Sequence, residues 1–556
     1  MRCVLLLAVA SAAVHCSRAE PRAPEVEVES GILRGKWIQS QFSKRNVAAF
    51  EGIPYAEPPV GGLRFQRAVP VASWSGVRVA DRLSAMCPQQ DFLMGKNYVE
   101  GNEDCLYINV YAPETVSRTK PLPVMVFIHG GGFMVWSGGM HGPEFLMERD
   151  VVYVNFNYRL GPLGFLSMGD DVIPGNNGMK DMVLALNWVR QNIRSFGGDP
   201  ESVTIFGESA GGASVHYMTL SPLTKGLFHR AIPMSGTANA AWAFHDTAEA
   251  KKNAAKLAAL LDCPAQPSEQ LLECLRGKSA EDIVRAQLGF GEWYGHPLLP
   301  FRVVAEPGVP GAFIDRPPSQ LVPRDVPLMI GVVSDEGCVV TAPLLHNDHA
   351  MKDLNDNFNK VLPLTLLLSH LPEKDQTHIS QEIRNVYFAK SDDTTSPLTD
   401  IFSDIYFQYP SLMTIKQHKA HAISSVYFYK LAYHSKDKGF SGPFSGYKLN
   451  STFEMCHCDD LMYLFPFKEL FPKELSDSDR AYTDLMLELF TTFAATGQPT
   501  SDNSWSEVED VDEAEYAYIP NAGELTMRRS YPSEKRNLWR RIDAARSKTR
   551  FISDEL

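Results

Sequence analysis

The chain lacks a basic excess: 53 lysines and arginines stand against 66 aspartates and glutamates, a formal charge of −13. Phosphate and anionic-lipid partners need basic surface, so nucleic acid and acidic membranes are excluded as main partners. Cysteine is scarce, with nine in 556 residues, too few for a disulfide-built scaffold. Any bridges therefore reinforce a core that already exists. Internal repeats and Pro/Ser-rich linkers are missing, and charged and Gly/Pro fractions are near the globular average. That excludes disordered, collagen-like and low-complexity chains. Long apolar runs are also missing, with one short exception, residues 4 to 14. That run is about half the ~20 residues a spanning helix needs, so no membrane span is expected. It follows Arg2 and leads into Ser17-Arg18-Ala19, the layout of a secretory signal peptide cut after Ala19. Loss of residues 1–19 removes Arg2 and Arg18 and no acid, leaving 51 − 66 = −15.

Several longer apolar stretches end in glycine or polar residues: 123–128, 151–155, 203–206, 327–333 and 426–431. Continuous rather than alternating hydrophobicity suits strands buried on both faces, as in a parallel sheet covered by helices. Between two of them Met182, Leu186, Val189 and Ile193 recur at helical spacing, which predicts a strand–helix–strand crossover. Near the start, residues 25–33 read as a small hairpin turning at Ser30-Gly31. A length prior of ~150 residues per domain suggests three or four domains. With no linker visible, residues 20–556 are expected to form a single α/β domain instead.

Chemistry enters with Gly207-Glu208-Ser209-Ala210-Gly211-Gly212. The segment follows a predicted strand and opens a helix-compatible stretch. This G-x-S-x-G pattern holds a serine hydroxyl on a sharp strand-to-helix turn, beside a helix N-terminus that favours developing negative charge. At average composition it arises by accident about 0.2 times in such a length, so a second signal is needed. His129-Gly130-Gly131-Gly132-Phe133 supplies it, directly after strand 123–128. No Lys-Ser/Thr follows, so a phosphate loop is disfavoured. Consecutive glycines can instead aim backbone N–H groups at one oxyanion, and the two motifs pair in lipases and esterases. Gly131, Gly132 and Ala210 are the expected oxyanion donors.

In this arrangement an acid and then a histidine follow the serine along the chain. After strand 327–333 come Ser334-Asp335-Glu336-Gly337, where Asp335 and Glu336 are equal candidates by spacing. Among later histidines, His434 lies in a Lys-rich stretch, whereas His457 precedes an apolar segment and better suits a partly buried base. Cys456-His457-Cys458-Asp459 has neither the C-x2-C spacing nor a second half-site. No metal and no organic cofactor is expected.

These motifs, with Phe50-Glu51-Gly52-Ile53-Pro54-Tyr55-Ala56, residues 103–110 (Glu-Asp-Cys-Leu-Tyr-Ile-Asn-Val) and Asn157-Tyr158-Arg159, resemble the type-B carboxylesterase/lipase (cholinesterase-like) family. The likeness is strongest to insect carboxylesterases. It implies an α/β-hydrolase fold, with a mostly parallel central sheet, helices on both faces and a small N-terminal sheet. It implies hydrolysis of small-molecule carboxylic esters, with Ser209 as nucleophile, Glu336 as acid and His457 as base. It also implies disulfides Cys87–Cys105 and Cys263–Cys274. Cys338, Cys456 and Cys458 are left over, an odd number, so at least one thiol is free unless it pairs between chains.

Two departures bear on substrate. The loop from Pro88 to Asp104 carries Phe92 and Tyr98 but lacks the tryptophan with which cholinesterases hold choline. Juvenile hormone esterases usually carry Gln where this elbow has Glu208. Both substrates are demoted in favour of general aliphatic or aromatic esters, with lipase-like or juvenile hormone esterase-like activity as the alternative. A non-catalytic, cholinesterase-like adhesion protein is the competing class, but such relatives typically lose triad residues and carry a span. Glu208 itself is expected to stabilise protonated His457. Asn450-Ser451-Thr452 is a glycosylation sequon. Ser553-Asp554-Glu555-Leu556 is similar to the KDEL/HDEL retention signals. The protein is thus expected in the secretory pathway, secreted or retained in the ER lumen.

Overall fold

The computed structural model describes residues 22–114, 120–308, 310–389, 395–436, 438–446, 453–502, 504–512, 515–529 and 531–553. Residues 1–19, expected as a signal segment, the sequon asparagine Asn450 and the final residues 554–556 lie outside them.

Eleven strands form the central sheet. From one edge it runs Lys36–Gln39, Asn46–Pro54, Tyr107–Pro113, Val152–Phe156, Leu122–Ile128, Gly198–Glu208, Arg230–Met234, Leu328–Val333, Val426–Leu431, Tyr516–Asn521 and Glu524–Arg528. The seven strands from Val152–Phe156 to Tyr516–Asn521 pair in parallel; the outer pairs are antiparallel. The apolar stretches read from sequence are all among the parallel strands.

Their continuous hydrophobicity has a direct cause. In Leu122–Ile128, Val124, Val126 and Ile128 join one buried cluster, which contains Met182 and Val189 of helix Asn177–Asn192. Met125 and Phe127 join a second, which contains Met486, Phe490 and Phe493 of helix Asp477–Thr496. Successive side chains point to opposite faces of a strand, so both faces carry a helix-covered core. Met182, Leu186, Val189 and Ile193 are all fully buried. The strands this helix joins, Val152–Phe156 and Gly198–Glu208, flank Leu122–Ile128, so the crossover passes over one strand.

Near the start, Glu25–Val28 and Gly31–Arg34 pair antiparallel, and Val77–Val79 adds a parallel third strand. Among the described residues no helix is long and apolar enough to cross a membrane.

Candidate active site

Strand Gly198–Glu208 ends at Ser209, and helix Ala210–Leu220 begins at the next residue. Ser209 has φ +58° and ψ −121°, a sparsely populated positive-φ conformation that costs a side-chain-bearing residue about 1–3 kcal/mol. Packing of the following helix holds it there, since every residue of that helix is buried. Gly211 shows how tightly: a Cβ there would lie 2.0 Å from the carbonyl oxygen of Ile128. The helix start thus rests on the end of the strand that carries the glycine loop. In that loop Gly131 has φ +89°, and a Cβ would meet the Val135 carbonyl oxygen at 2.2 Å. Only glycine fits. Tyr158 fixes the loop's entry, with its hydroxyl donating to the His129 carbonyl at 2.8 Å and its ring stacked on the His129 ring. Burial lowers the His129 pKa to about 3, so this ring stays neutral, with a single N–H.

Asp335 and Glu336 differ in direction. Glu336 is fully buried; one of its oxygens accepts the Val333 N–H at 2.9 Å, and the other accepts His457 Nδ1 at 2.6 Å. Asp335 turns away and accepts the Glu454 N–H at 2.6 Å. His434 is exposed and its Nδ1 lies 3.2 Å from the Glu454 carbonyl oxygen, whereas His457 is 3% exposed. Ser209, Gly131, Gly132 and His457 line one cleft, and Ala210 opens the helix behind the serine.

Glu208 lies against the other ring nitrogen, Oε1 to His457 Nε2 at 3.2 Å. Burial alone would depress the imidazolium, but Glu208, with the hydrogen bond and charge of Glu336, outweighs it. His457 is therefore held above the ordinary histidine value. Burial likewise lifts Glu208 above the usual carboxylate range.

The structure also places residues that sequence reading passed over. Phe407 packs its ring 4.6 Å from the His457 ring, centroid to centroid. It sits in a single π-turn, Asp404–Gln408, inside an otherwise α-helical run from Thr395 to Lys419. Such insertions frequently occur at functional sites and leave no pattern in sequence. Trp136 and Trp242 face the cleft from outside the Pro88–Asp104 loop. Within that loop Phe92 points into the cleft, whereas Tyr98 is 52% exposed and lies under Lys96.

Disulfides Cys87–Cys105 and Cys263–Cys274 are present as the resemblance implied. The three leftover cysteines divide unexpectedly: Cys338 bonds to Cys456, and Cys458 is free and buried. This third bridge joins the loop of Glu336 to that of His457. Their contact also includes Asp335 N–H to the Met455 carbonyl at 2.9 Å and Met455 N–H to Ser334 Oγ at 3.0 Å.

Comparison with known proteins gives a consistent picture. A family model described as the carboxylesterase family matches residues 22–539. Venom carboxylesterase-6 of Apis mellifera is 35% identical over 545 residues, covering 95% of this chain and 96% of the relative. Juvenile hormone esterase of Tribolium castaneum is 34% identical over 498 residues, covering 86% and 84%. Among solved structures, juvenile hormone esterase from Manduca sexta with OTFP covalently attached superposes with a TM-score of 0.82 at 30% identity. That match covers 95% of this chain and all of the other.

Proposed function

The chain belongs to the carboxylesterase family and is a carboxylic ester hydrolase, and from that premise we propose that Ser209 carries the acyl group. The observation behind this reading is the 2.6 Å contact of Glu336 with His457 Nδ1, in a cleft that Ser209 shares. Ser209 Oγ attacks the ester carbonyl while His457 takes its proton. Glu336 holds the Nδ1–H tautomer and stabilises the imidazolium. The carbonyl oxygen, now an anion, is met by the N–H groups of Gly131, Gly132 and Ala210, whose positions are set before substrate arrives. His457 returns the proton to the leaving alcohol, and water then hydrolyses the acyl-enzyme. Neither metal nor cofactor takes part. The reading treats residues 20–556 as one catalytic domain, supported by Gly131, Ser209 and Glu336 each following a parallel strand of a single sheet.

A fluorophosphonate probe is expected to modify Ser209 stoichiometrically and to abolish turnover of short-chain esters. Labelling elsewhere, or none, would overturn the assignment of Ser209 as the acyl carrier.

Largely apolar walls, with Phe92, Trp242 and Phe407 among them, suit aliphatic or aromatic acyl and alcohol groups better than charged ones. Xenobiotic and volatile, pheromone-type esters fit this description. A second apolar cavity shares Phe92, Leu93 and Phe444 with the cleft and continues along Leu288, Pro297 and Leu344. This continuation favours an extended chain, as in a juvenile hormone-type or lipid ester, as the second reading. Turnover across acyl-chain length, with soluble and emulsified esters compared, separates the two.

Glu208 acts on the proton carrier. Glu208→Gln keeps its shape and removes the charge that most raises the His457 pKa. The base must be neutral to work, so activity rises as pH passes upward through that pKa. In the variant the rise moves to lower pH. The plateau rate falls by about tenfold for each pK unit of imidazolium stabilisation lost. Profiles of kcat/KM that superimpose from ~pH 5 to 9, where histidine titrates, would refute this role.

We also assign the protein to the secretory pathway. Three disulfides among the described residues support this, because such bonds persist in oxidising compartments. Cleavage after Ala19, a glycan on Asn450, and either secretion or retention in the ER lumen by the C-terminal Ser-Asp-Glu-Leu belong to the same reading.

A further inference from the structure

Cys458 is the one free cysteine among the described residues, and its thiol lies 3.2 Å from Glu208 Oε1, its hydrogen-bond acceptor. The same oxygen is 3.2 Å from His457 Nε2. Glu208, His457 and Cys458 thus place a carboxylate oxygen, an imidazole nitrogen and a sulfur within 4.8 Å of one another. We propose that these three side chains form an inhibitory binding site for zinc or a similarly soft divalent cation, in which the metal takes the catalytic imidazole out of service.

The ligand chemistry suits this ion. Zinc binds Cys sulfur at about 2.3 Å and His nitrogen or carboxylate oxygen at about 2.0–2.2 Å, in tetrahedral geometry. Ligands on such a tetrahedron are about 3.4–3.6 Å apart for those bond lengths. The two separations from Glu208 Oε1, each 3.2 Å, fall short by a few tenths of an ångström, and the third, Nε2 to Sγ, is within 4.8 Å, so small side-chain shifts bring all three atoms to the ion. Cys456, the other cysteine of the C-x-C pair, is excluded because it is bridged to Cys338. The site is therefore not the sequence cluster that lacked zinc spacing, but a different triple assembled by folding.

Two further features favour a cation. Glu208 Oε2 is buried with no hydrogen-bond partner. On binding, the thiol releases its proton to solvent. A zinc ion with one thiolate, one carboxylate and one neutral imidazole is then uncharged overall, which an apolar pocket tolerates. His457 and Cys458 line the cleft together with Ser209, so the ion has an entry path, and a fourth ligand can come from the cleft side. Metal on Nε2 blocks the nitrogen that must accept the serine proton.

The test uses the whole protein with zinc chloride alone. Equilibrium dialysis is expected to give one zinc per chain, and zinc is expected to inhibit ester turnover and slow fluorophosphonate labelling, with chelator restoring both. Cobalt in place of zinc should show a thiolate-to-cobalt charge-transfer band, and magnesium, which prefers oxygen ligands, should do nothing. Position 458 has φ +73°, where glycine is preferred over any other residue. Cys458→Gly is therefore expected to fold, with Cys458→Ser as a second variant. Each should raise the zinc concentration for half-inhibition, relative to its own uninhibited rate, by about 10–100-fold or more, the range seen when even outer-shell partners are lost. Both should abolish the charge-transfer band. Unchanged inhibition and unchanged stoichiometry in both variants would overturn the proposal. The dialysis and cobalt readouts do not depend on esterase activity, so they stand even if Ser209 proves not to be the nucleophile.

Discussion

Alanine at position 209 is expected to lower ester turnover by about 10⁴–10⁶-fold, the range seen when a triad nucleophile is removed. The chain should still fold. Alanine keeps the Cβ and the same backbone demand at φ +58°, so the strain of the turn is unchanged and only the oxygen is lost. The helix behind it is buried throughout and packs as before. Residual activity comes from the oxyanion donors and substrate positioning, which the substitution does not touch. Combining Ser209→Ala with His457→Ala should cost little more than either alone, since the base has no proton to take once the hydroxyl is gone. The measurement is kcat/KM on a short-chain ester beside a thermal melt. A drop of less than tenfold with an unchanged melt would mean that another group attacks the ester.

Loss of the Cys338–Cys456 bridge should have the largest effect on stability. It closes 118 residues, against 18 and 11 for the other two bonds. The loop-entropy model assigns about 5 kcal/mol to the long bridge and about 3 kcal/mol to each short one. The bridge also differs in what it joins, because Glu336 lies two residues before Cys338 and His457 one residue after Cys456. A Cys338→Ala/Cys456→Ala double variant is therefore expected to lose both melting temperature and kcat. The remaining contacts of Asp335 and Met455 between the two loops keep the fall in kcat to about 10²-fold, the cost of displacing a catalytic group by about an ångström. Cys263→Ala/Cys274→Ala is the control, with a smaller loss of melting temperature and kcat unchanged. If the two double variants melt alike and turn over alike, the bridge does not position the site.

Local signals were legible and long-range ones were not. The serine turn and the glycine loop could be read because each needs particular residues within six positions of sequence, and the parallel strands because burial on both faces leaves unbroken apolar runs. The choice of Glu336 over Asp335 was not a property of spacing. It depends on which carboxylate the turn aims at a ring 121 residues away, and only family likeness anticipated it. Pairing of Cys338 with Cys456 escaped for the same reason, since a bond across 118 residues leaves no periodicity. The placement of Phe407 escaped because a π-turn differs from α-helix by one residue of register. The meeting of the Cys458 thiol with Glu208 spans 250 residues and follows from the fold alone.

Strand Gly198–Glu208, which ends at Ser209, is sixth of eleven across the sheet. Five strands separate it from either margin. Opening of a sheet by thermal fluctuation begins at its borders and reaches the interior only as larger cooperative units come apart. The serine turn is thus anchored in the part of the molecule that comes apart last. Loss of order at Lys36–Gln39 or Glu524–Arg528 would leave the strained turn and its supporting helix intact. A conformation costing about 1–3 kcal/mol at one residue persists because it is held where local melting does not release it.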